Sequence, residues 1–458
     1  MSQYAALARS RGYGEKTGRV IKLKDILNFI SMMIFAAVIF SGTTKIAPLK
    51  KELLVIGGMV CLVSFFVTNQ KIRIMNVTAV LWLYVIMYML ASSMLNSNMS
   101  KTIIYVLMYM ASFIVMVTGF SKKDYLMFIK ICEIFAAVFC ATVLLEFFIR
   151  PLFTNYLIFL MDTPSRAASI RSEMKIGIFS GLSGEKGEAS YAANILISIQ
   201  LCQIFVRRKA SKKNIALLLL AVFSLLMSGK RTMLMMPLVI TLAFFFVNKI
   251  KGRVFKLIAA AVIVGISVYI LTMIFPPLAI TIDRIFNSSS DDMLTGRGDL
   301  WNVCKNMFVS NPLFGRGFAS FNTFANRDYN VNVMMAIQNH EKWLFHAHSL
   351  YYQFLGELGL FGSIPAFSVI LYSCIGVLRL RKNMDQMSGG EKIIYHFSLY
   401  YQLWFIIYGF TSNVGYYPQD LIMYFLCVSM YLYLKHRFKP MRKPVPDEIN
   451  TIQQEEYV

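Results

Sequence analysis

Apolar stretches of roughly 20 residues alternate with short polar segments along almost the whole chain. An α-helix needs about 20 mostly apolar residues to cross the hydrocarbon core of a bilayer. The pattern therefore predicts an all-α polytopic membrane protein with about twelve transmembrane helices. The predicted spans are residues 26–44, 52–68, 77–95, 102–120, 125–148, 189–206, 214–228, 232–248, 254–274, 349–378, 394–411 and 419–435.

Two polar connections are much longer than the others. Residues 149–188 join the fifth and sixth spans, and residues 275–347 join the ninth and tenth. Connections as long as the second are usually functional or disordered. Since this one is rich in aromatic residues, we expect a folded extracytoplasmic lid with short helices that carries catalytic groups. The other predicted divisions are a basic N-terminus (1–25), spans 1–9 (26–274), spans 10–12 (348–435) and a tail (436–458).

The distribution of charge fixes the expected orientation. Hydrophobic residues make up 57% of the chain and charged residues 15%, with a net charge of +22. The Lys and Arg residues cluster in alternate connections, which is typical of the cytoplasmic face of a membrane protein rather than of nucleic-acid binding. Both termini are predicted to be cytoplasmic, with no removable signal peptide. Lys45, Lys50 and Lys51, in the first outside connection, run against this pattern.

The segment HSLYYQFLGELGLFG begins with His348, where the longest polar connection meets an apolar helix. A histidine there has three interpretations that the residues alone leave open. It is an interfacial side chain, a metal ligand together with His346 and Glu341, or a general base that titrates near neutral pH. Six of the seven cysteines lie in apolar stretches, so no zinc spacing or disulfide framework follows from them.

Several cations are candidates for binding an anion at the outer side. Lys230 and Arg231, in SGKRT between the seventh and eighth spans, fall outside by the predicted topology. Cations at short outside turns oppose the insertion bias, so either a snorkelling anchor or an anionic headgroup must explain them. Arg297, in GRGDLW, either pairs with Asp299 or forks onto phosphate oxygens. Arg316 is a weaker candidate of the same kind.

Other polar and aromatic residues have both structural and functional interpretations. Glu188, in GLSGEKGEASYAAN, either favours the dipole at a helix start or orients a sugar hydroxyl. The aromatic residues at the outer ends of the late spans either form an aromatic belt or stack on sugar rings. They are Trp343, Tyr351, Tyr352, Tyr408, Tyr416 and Tyr417. A transporter would concentrate ionisable groups near the bilayer midplane, whereas such groups are few here. Glu357, inside the tenth span, has no explanation from the sequence.

These motifs together resemble the O-antigen ligase/polymerase superfamily, which includes O-antigen ligases and Wzy-type polysaccharide polymerases. The resemblance rests on GRGDLW, on the glycine turn NPLFGRGF and on the long outer loop. It also rests on a histidine, then Asn, Ser or Gln, then nine residues and Gly-x-x-Gly, which is matched by His348, Ser349, Gly359 and Gly362. SGKRT has a lysine where the family more often has serine, and GEASYAA has alanine where many polymerases have proline.

The resemblance implies a GT-C-like membrane glycosyltransferase that needs no metal, cofactor or nucleotide sugar. The donor would be a glycan on undecaprenyl diphosphate, and the acceptor a hydroxyl on another lipid-linked repeat in a polymerase or on lipid A core in a ligase. GEASYAA and the 149–188 loop favour the polymerase, and a flippase is the less favoured third reading. The implied setting is the bacterial cytoplasmic membrane, with the site facing outward and a flippase and chain-length regulator as partners. The implied site residues are His348, Arg297 and Arg231 for catalysis and Glu188, Lys230, Arg316 and Trp301 for substrate binding.

Overall fold

The computed structural model describes residues 23–67, 76–94, 99–248, 297–328 and 346–438, with a few positions between 262 and 279. The N-terminus to residue 22, most of the ninth predicted span, much of the long loop and the tail from residue 439 lie outside the described residues. The helices in the long described ranges are α1 (Leu23–Phe40), α2 (Lys50–Val67), α3 (Val77–Ser93), α4 (Met99–Thr118), α5 (Lys122–Phe148), α6 (Arg150–Tyr156), α7 (Pro164–Lys175), α8 (Lys186–Arg207), α9 (Lys212–Met227), α10 (Arg231–Val247), α11 (Arg297–Ser310), α12 (Phe321–Asp328), α13 (Leu350–Arg379), α14 (Gly389–Tyr408) and α15 (Pro418–Arg437).

The all-α membrane class is confirmed for the described part of the chain. Four helices there are long and apolar enough to cross a membrane, judged by length and composition: α1, α5, α8 and α13 with the short turn that extends it. Helices α3 and α10 and most of α4 are apolar but shorter. Eleven of the predicted spans coincide with helices. The total of twelve spans remains a prediction, since the ninth falls mainly outside the described residues.

The helix bundle has two chemically different ends. At one, which we call the basic end, cations of several helices contact acids and hydroxyls of their neighbours. At the other, which we call the cavity end, α8, α10, α11, α13 and α15 begin. Contacts at the basic end are Lys123–Asp25 at 3.6 Å, Lys122–Ser388 at 2.8 Å, Lys213–Glu133 at 2.9 Å and Arg437–Glu391 at 3.9 Å.

Helix α15 is the centre of the bundle. Sixteen of its 20 residues are buried, and it packs against α14, α4 and α1. A helix that is apolar around its whole circumference needs neighbours on every side. The first turn of α15 is polar, however, because it contains Gln419 and Asp420, which are both buried. The central helix therefore carries polar groups into the cavity end.

Helix α13 is broken at Gly359. Its φ of 59° and ψ of −163° lie in a region open only to glycine, so the regular hydrogen bonding of the helix is interrupted there. The freed backbone groups must find partners in the low-polarity interior. They find them in residues 311–318, the NPLFGRGF turn, which we call the clasp. The bonds are Arg316 N to Gly356 O, Gly317 N to Glu357 O, Leu360 N to Pro312 O and Phe361 N to Leu313 O, all between 2.9 and 3.0 Å.

The carboxylate of Glu357 fastens the end of the clasp to α13. It is fully buried and accepts hydrogen bonds from the backbone N–H groups of Ala319 at 2.7 Å and Phe321 at 3.0 Å. The Gln353 amide donates at 3.0 Å, and the Tyr416 hydroxyl donates as well. A buried carboxylate is tolerated only when it is paired or hydrogen-bonded in this way. Glu357 thus has a structural explanation, which the sequence did not provide.

Replacing Gly359 with alanine is expected to destabilise the protein strongly. The backbone conformation alone would cost about 1–3 kcal/mol, and a Cβ there would lie 2.4 Å from the Gly315 nitrogen and 2.5 Å from the Leu313 oxygen. Thermal unfolding of the purified protein in detergent measures the effect. Gly389→Ala is the matched control, because a Cβ at Gly389 meets nothing within 4 Å. Equal melting temperatures for both variants would contradict the role of the clasp.

Candidate functional site

A polar cavity of about 150 Å³ lies at the cavity end of the bundle. Its walls come from the starts of α8, α10, α11 and α15, from the end of α14 and from His348, two residues before α13 begins. Four predicted site residues line it together: His348, Arg297, Lys230 and Glu188. The sequence separates these residues by up to 160 positions, so the fold brings them together. The cavity is also lined by Glu185, Gly187, Tyr191, Tyr408, Tyr417, Gln419 and Asp420.

The backbone at His348 is strained and firmly held. Its φ of 50° is the left-handed conformation, which costs a non-glycine residue about 1–3 kcal/mol. The backbone on both sides is fixed by hydrogen bonds. Leu350 N donates to Gly409 O at 2.8 Å, and Ala347 N donates to the Gln353 side chain at 3.3 Å. Such strain, supported by the surroundings, is a device for orienting a functional side chain.

The neighbours of His348 explain part of the family motif in physical terms. Ser349 is the N-cap of α13, and its hydroxyl accepts from the Tyr352 N–H. Asn, Ser and related residues are favoured there because they satisfy a free backbone donor. Trp301 donates its indole N–H to Ala347 O at 2.9 Å, and its ring stacks on Tyr352 at 5.1 Å. In the described structure Trp301 therefore holds the His348 segment; its predicted contact with a sugar remains a proposal.

His348 is uncharged at neutral pH. Burial, followed by the charges of Arg297 and Lys230, lowers its pKa from 6.5 to about 4, and Glu185 only partly opposes this. A neutral imidazole has one ring nitrogen free to accept a proton. His346, two residues earlier, packs near Tyr417 with ring centroids 5.5 Å apart, and burial lowers its pKa to about 4 as well.

Lys230 supplies a cation that faces His348. It is the N-cap residue of α10, directly before Arg231. Burial alone would lower its pKa, but Tyr408 and Glu185 outweigh burial, so the pKa is raised and the ammonium stays charged. A Cβ added at Gly187 would lie 3.0 Å from the Lys230 nitrogen, so a glycine leaves room for it. Arg231 is half-buried, and Lys230 is the residue of this turn that lines the cavity.

Arg297 enters the cavity from the first position of α11. This helix packs on α13, and Leu300, Val303, Cys304 and Met307 form a small separate core with Phe321, Ala325 and Ala347. The described part of residues 275–347 contains two helices, α11 and α12, and the folded extracytoplasmic lid remains a prediction. Asp299 is exposed, whereas the Arg297 side chain lines the cavity.

Glu188 forms the opposite wall of the cavity. One of its carboxylate oxygens accepts from Lys50 Nζ at 2.9 Å and from Gln419 Nε2 at 3.0 Å. Lys50 was an exception to the predicted charge pattern, and this partly buried ion pair accounts for it. Lys51, next to it, lies over the Tyr105 ring at 4.4 Å. These two lysines therefore complement an acid and an aromatic ring at the cavity end.

Arg316 lies away from the cavity. Its Nε donates to Ser310 Oγ at 2.7 Å, and its guanidinium lies over the Phe324 ring at 5.6 Å. It thus strengthens the clasp in the described structure, and its predicted contact with substrate remains a proposal. Glu341, the acidic partner considered for a histidine metal site, lies outside the described residues.

Gln419 and Asp420 line the cavity but were not predicted as site residues. Both belong to the twelfth predicted span, where an apolar run dominates the pattern and hides the polar first turn. Tyr408 and Tyr417, for which a belt and a sugar contact were both open, also line the cavity. Glu185 also lines it and lies 3.7 Å from Arg166 of α7, which connects the 149–188 loop to the site. A usable signal was the acid in the first turn of an otherwise apolar span.

Comparison with known families agrees with this geometry. A model of the family described as O-antigen ligase matches residues 216–367, about a third of the chain. That range contains Lys230, Arg231, Arg297 and His348, whereas Glu188, Gln419 and Asp420 lie outside it. No curated protein matches the sequence.

Proposed function

We propose that the chain is a polysaccharide polymerase, and the match of residues 216–367 to the family described as O-antigen ligase supports this. It would transfer a glycan from undecaprenyl diphosphate to a hydroxyl of another lipid-linked repeat. The observation that carries the proposal is the meeting of His348, Arg297 and Lys230 in one cavity at the cavity end. A neutral base beside two permanent cations suits a neutral nucleophile and an anionic leaving group.

The proposed reaction is a single displacement. The acceptor oxygen attacks the anomeric carbon, and the bond from that carbon to the diphosphate oxygen breaks. Undecaprenyl diphosphate leaves with the electron pair, and the hydroxyl proton passes to the imidazole of His348. Arg297 and Lys230 stabilise the negative charge that develops on the leaving group, with Arg231 next to Lys230 as a further candidate. Direct displacement inverts the anomeric centre.

The low pKa of His348 fits a base that gains strength when the donor binds. In the free protein the two cations disfavour imidazolium. A bound diphosphate would neutralise them, so protonation of His348 becomes easier in the complex. His348 would be the strongest base when the donor is bound. It would then accept a proton from the acceptor hydroxyl rather than from water in the empty site.

Activity is expected to depend on pH in two distinguishable ways. A protonated imidazole cannot accept a proton, so activity falls as the pH drops through the pKa of His348. The acidic limb of kcat/KM reports the free enzyme and should lie near pH 4. The limb of kcat reports the complex and should lie at higher pH. Both profiles come from initial rates of the reconstituted protein between pH 3.5 and 8.

A Lys230→Met variant tests whether the acidic limb of kcat/KM reports the titration of His348. Removing one of the two cations beside His348 should move the acidic limb of kcat/KM to higher pH, because protonation of the imidazole becomes easier. A limb that stays in place belongs to another group, such as a carboxylate of the cavity. A wild-type limb near 6.5 would contradict the combined effect of burial and the two cations.

The polymerase and the ligase differ in the acceptor. Support for the polymerase comes from the GEASYAA segment, whose Glu188 lines the cavity, and from the 149–188 loop, which reaches the site through Arg166. The description of the matching family favours O-antigen ligase, which would transfer to lipid A core. In either case we propose a bacterial cytoplasmic membrane location with the cavity facing outward, and a flippase and chain-length regulator as partners.

Gel profiles of surface polysaccharide from a deletion host test the proposed function. Wild type should restore a ladder of chain lengths, whereas the deletion host should carry single repeats on the acceptor. Long undecaprenyl-linked chains without transfer to lipid A core in the deletion host would indicate the ligase instead. An unchanged profile on deletion would refute both.

A further inference from the structure

The cavity has two chemically different parts. The charges that act most strongly on His348 are those of Arg297, Lys230 and Glu185. Those that act on Asp420 are Glu188, Lys50 and Lys230. Lys230 therefore belongs to both parts. The part around Arg297 suits a diphosphate. The other part contains Glu188 of α8 with the Gln419 amide and the Asp420 carboxyl at the start of α15, and their oxygen atoms suit hydroxyl donors.

Gln419 is an incomplete hydrogen-bonding group in this second part. Its side chain is only 7% exposed, and its Nε2 donates to Glu188 at 3.0 Å. That bond fixes the orientation of the amide, because the opposite orientation would set its oxygen against a carboxylate. The Oε1 atom has no hydrogen-bond partner among the described residues. A buried acceptor without a donor is unfavourable. A ligand hydroxyl that donates a hydrogen bond to this oxygen would therefore bind more tightly.

Resting on the proposed function, we propose that Gln419, with Glu188 and Asp420, forms the subsite for the sugar of the acceptor. The leaving diphosphate occupies the cationic part, and the nucleophile of a displacement must approach from the other side of the anomeric carbon. A hydroxyl-rich sugar can donate to Gln419 Oε1 and to a carboxyl oxygen of Asp420. The acceptor hydroxyl that reacts then lies toward His348. Gln419 is a specificity-determining residue for the acceptor and takes no part in bond breaking.

The test separates donor from acceptor kinetics. The protein is reconstituted in liposomes with its undecaprenyl-diphosphate-linked repeat as donor. A repeat on a short alkyl chain without diphosphate serves as acceptor, since it cannot donate. Gln419→Met is expected to raise the acceptor KM about tenfold, which corresponds to one lost hydrogen bond, with the donor KM within about twofold. Gln419→Asn keeps the amide on a side chain that is one methylene shorter. It should raise the acceptor KM less than Gln419→Met does.

Gln402→Met is the matched control. Gln402 is also buried with an Oε1 that has no partner in the described part of the chain, but it bonds Ser398 in α14, away from the cavity. Its acceptor KM should equal that of wild type. A rise shared by both Met variants, an unchanged acceptor KM in Gln419→Met, or an equal rise of the donor KM would each overturn the inference alone. A wild type that transfers no glycan would overturn the proposed function and this inference with it.

Discussion

Replacing His348 with alanine is expected to slow glycan transfer by about 10²–10⁴-fold, the usual contribution of a positioned general base. The loss should appear in kcat, because the imidazole acts on the acceptor proton in the transition state rather than on binding. Initial rates with saturating donor and acceptor measure it. His346→Ala is the comparison, since that ring packs against Tyr417 and does not line the cavity. A larger loss from His346→Ala than from His348→Ala would reverse the assignment.

A glycine at position 348 separates catalysis from folding. The φ of 50° strains any residue with a Cβ, so His348→Gly should unfold at a higher temperature than His348→Ala. Both variants should be equally inactive. A histidine retained at a strained position, although glycine would relieve the strain, is the pattern expected when stability is given up for function. A His348→Gly protein that is inactive but less stable than His348→Ala would contradict this account.

Replacing Arg297 with alanine is expected to lower kcat by about 10²–10³-fold, as for the loss of one preorganised group that stabilises developing charge. Arg297→Lys should recover part of the rate, because it keeps the charge but loses the bidentate fork. Lys305→Ala is the matched control, since Lys305 is an exposed cation on the same helix, about two turns further along. Asp299→Ala tests the rival explanation. If the only role of Arg297 were to pair with Asp299, both alanine variants would have the same effect.

The sequence predicted the class of fold because bilayer thickness imposes a length on every span. It also predicted a role for His348, because a histidine at the edge of an apolar helix stands out, and for Arg297, because of the GRGDLW motif; both line the cavity, and their roles remain predictions. It could not predict that Lys230 rather than Arg231 lines the cavity. That distinction depends on the direction in which one helix start points, and the turn geometry is set by neighbours distant in the chain.

The sequence also could not predict which residues that are distant along the chain contact each other. The Lys50–Glu188 pair joins residues 138 positions apart, and the bonds of Glu357 depend on a clasp that folds back from an outer loop. Gln419 and Asp420 were hidden because a window average of hydropathy reports the twelfth span as a whole, not its first turn. Local patterns identify elements, whereas only packing identifies which polar groups share a cavity.

The position of α15 has a consequence for how the protein is made. This helix is the most enclosed of the described helices, yet ribosomes synthesise it after α1 to α14. Its neighbours must therefore enter the membrane with the central space still vacant, and the bundle closes around a segment that arrives late. Gln419 and Asp420 arrive with it. A nascent chain that ends before α15 therefore lacks these two walls of the cavity, and the cavity is complete only when α15 has taken its place in the bundle.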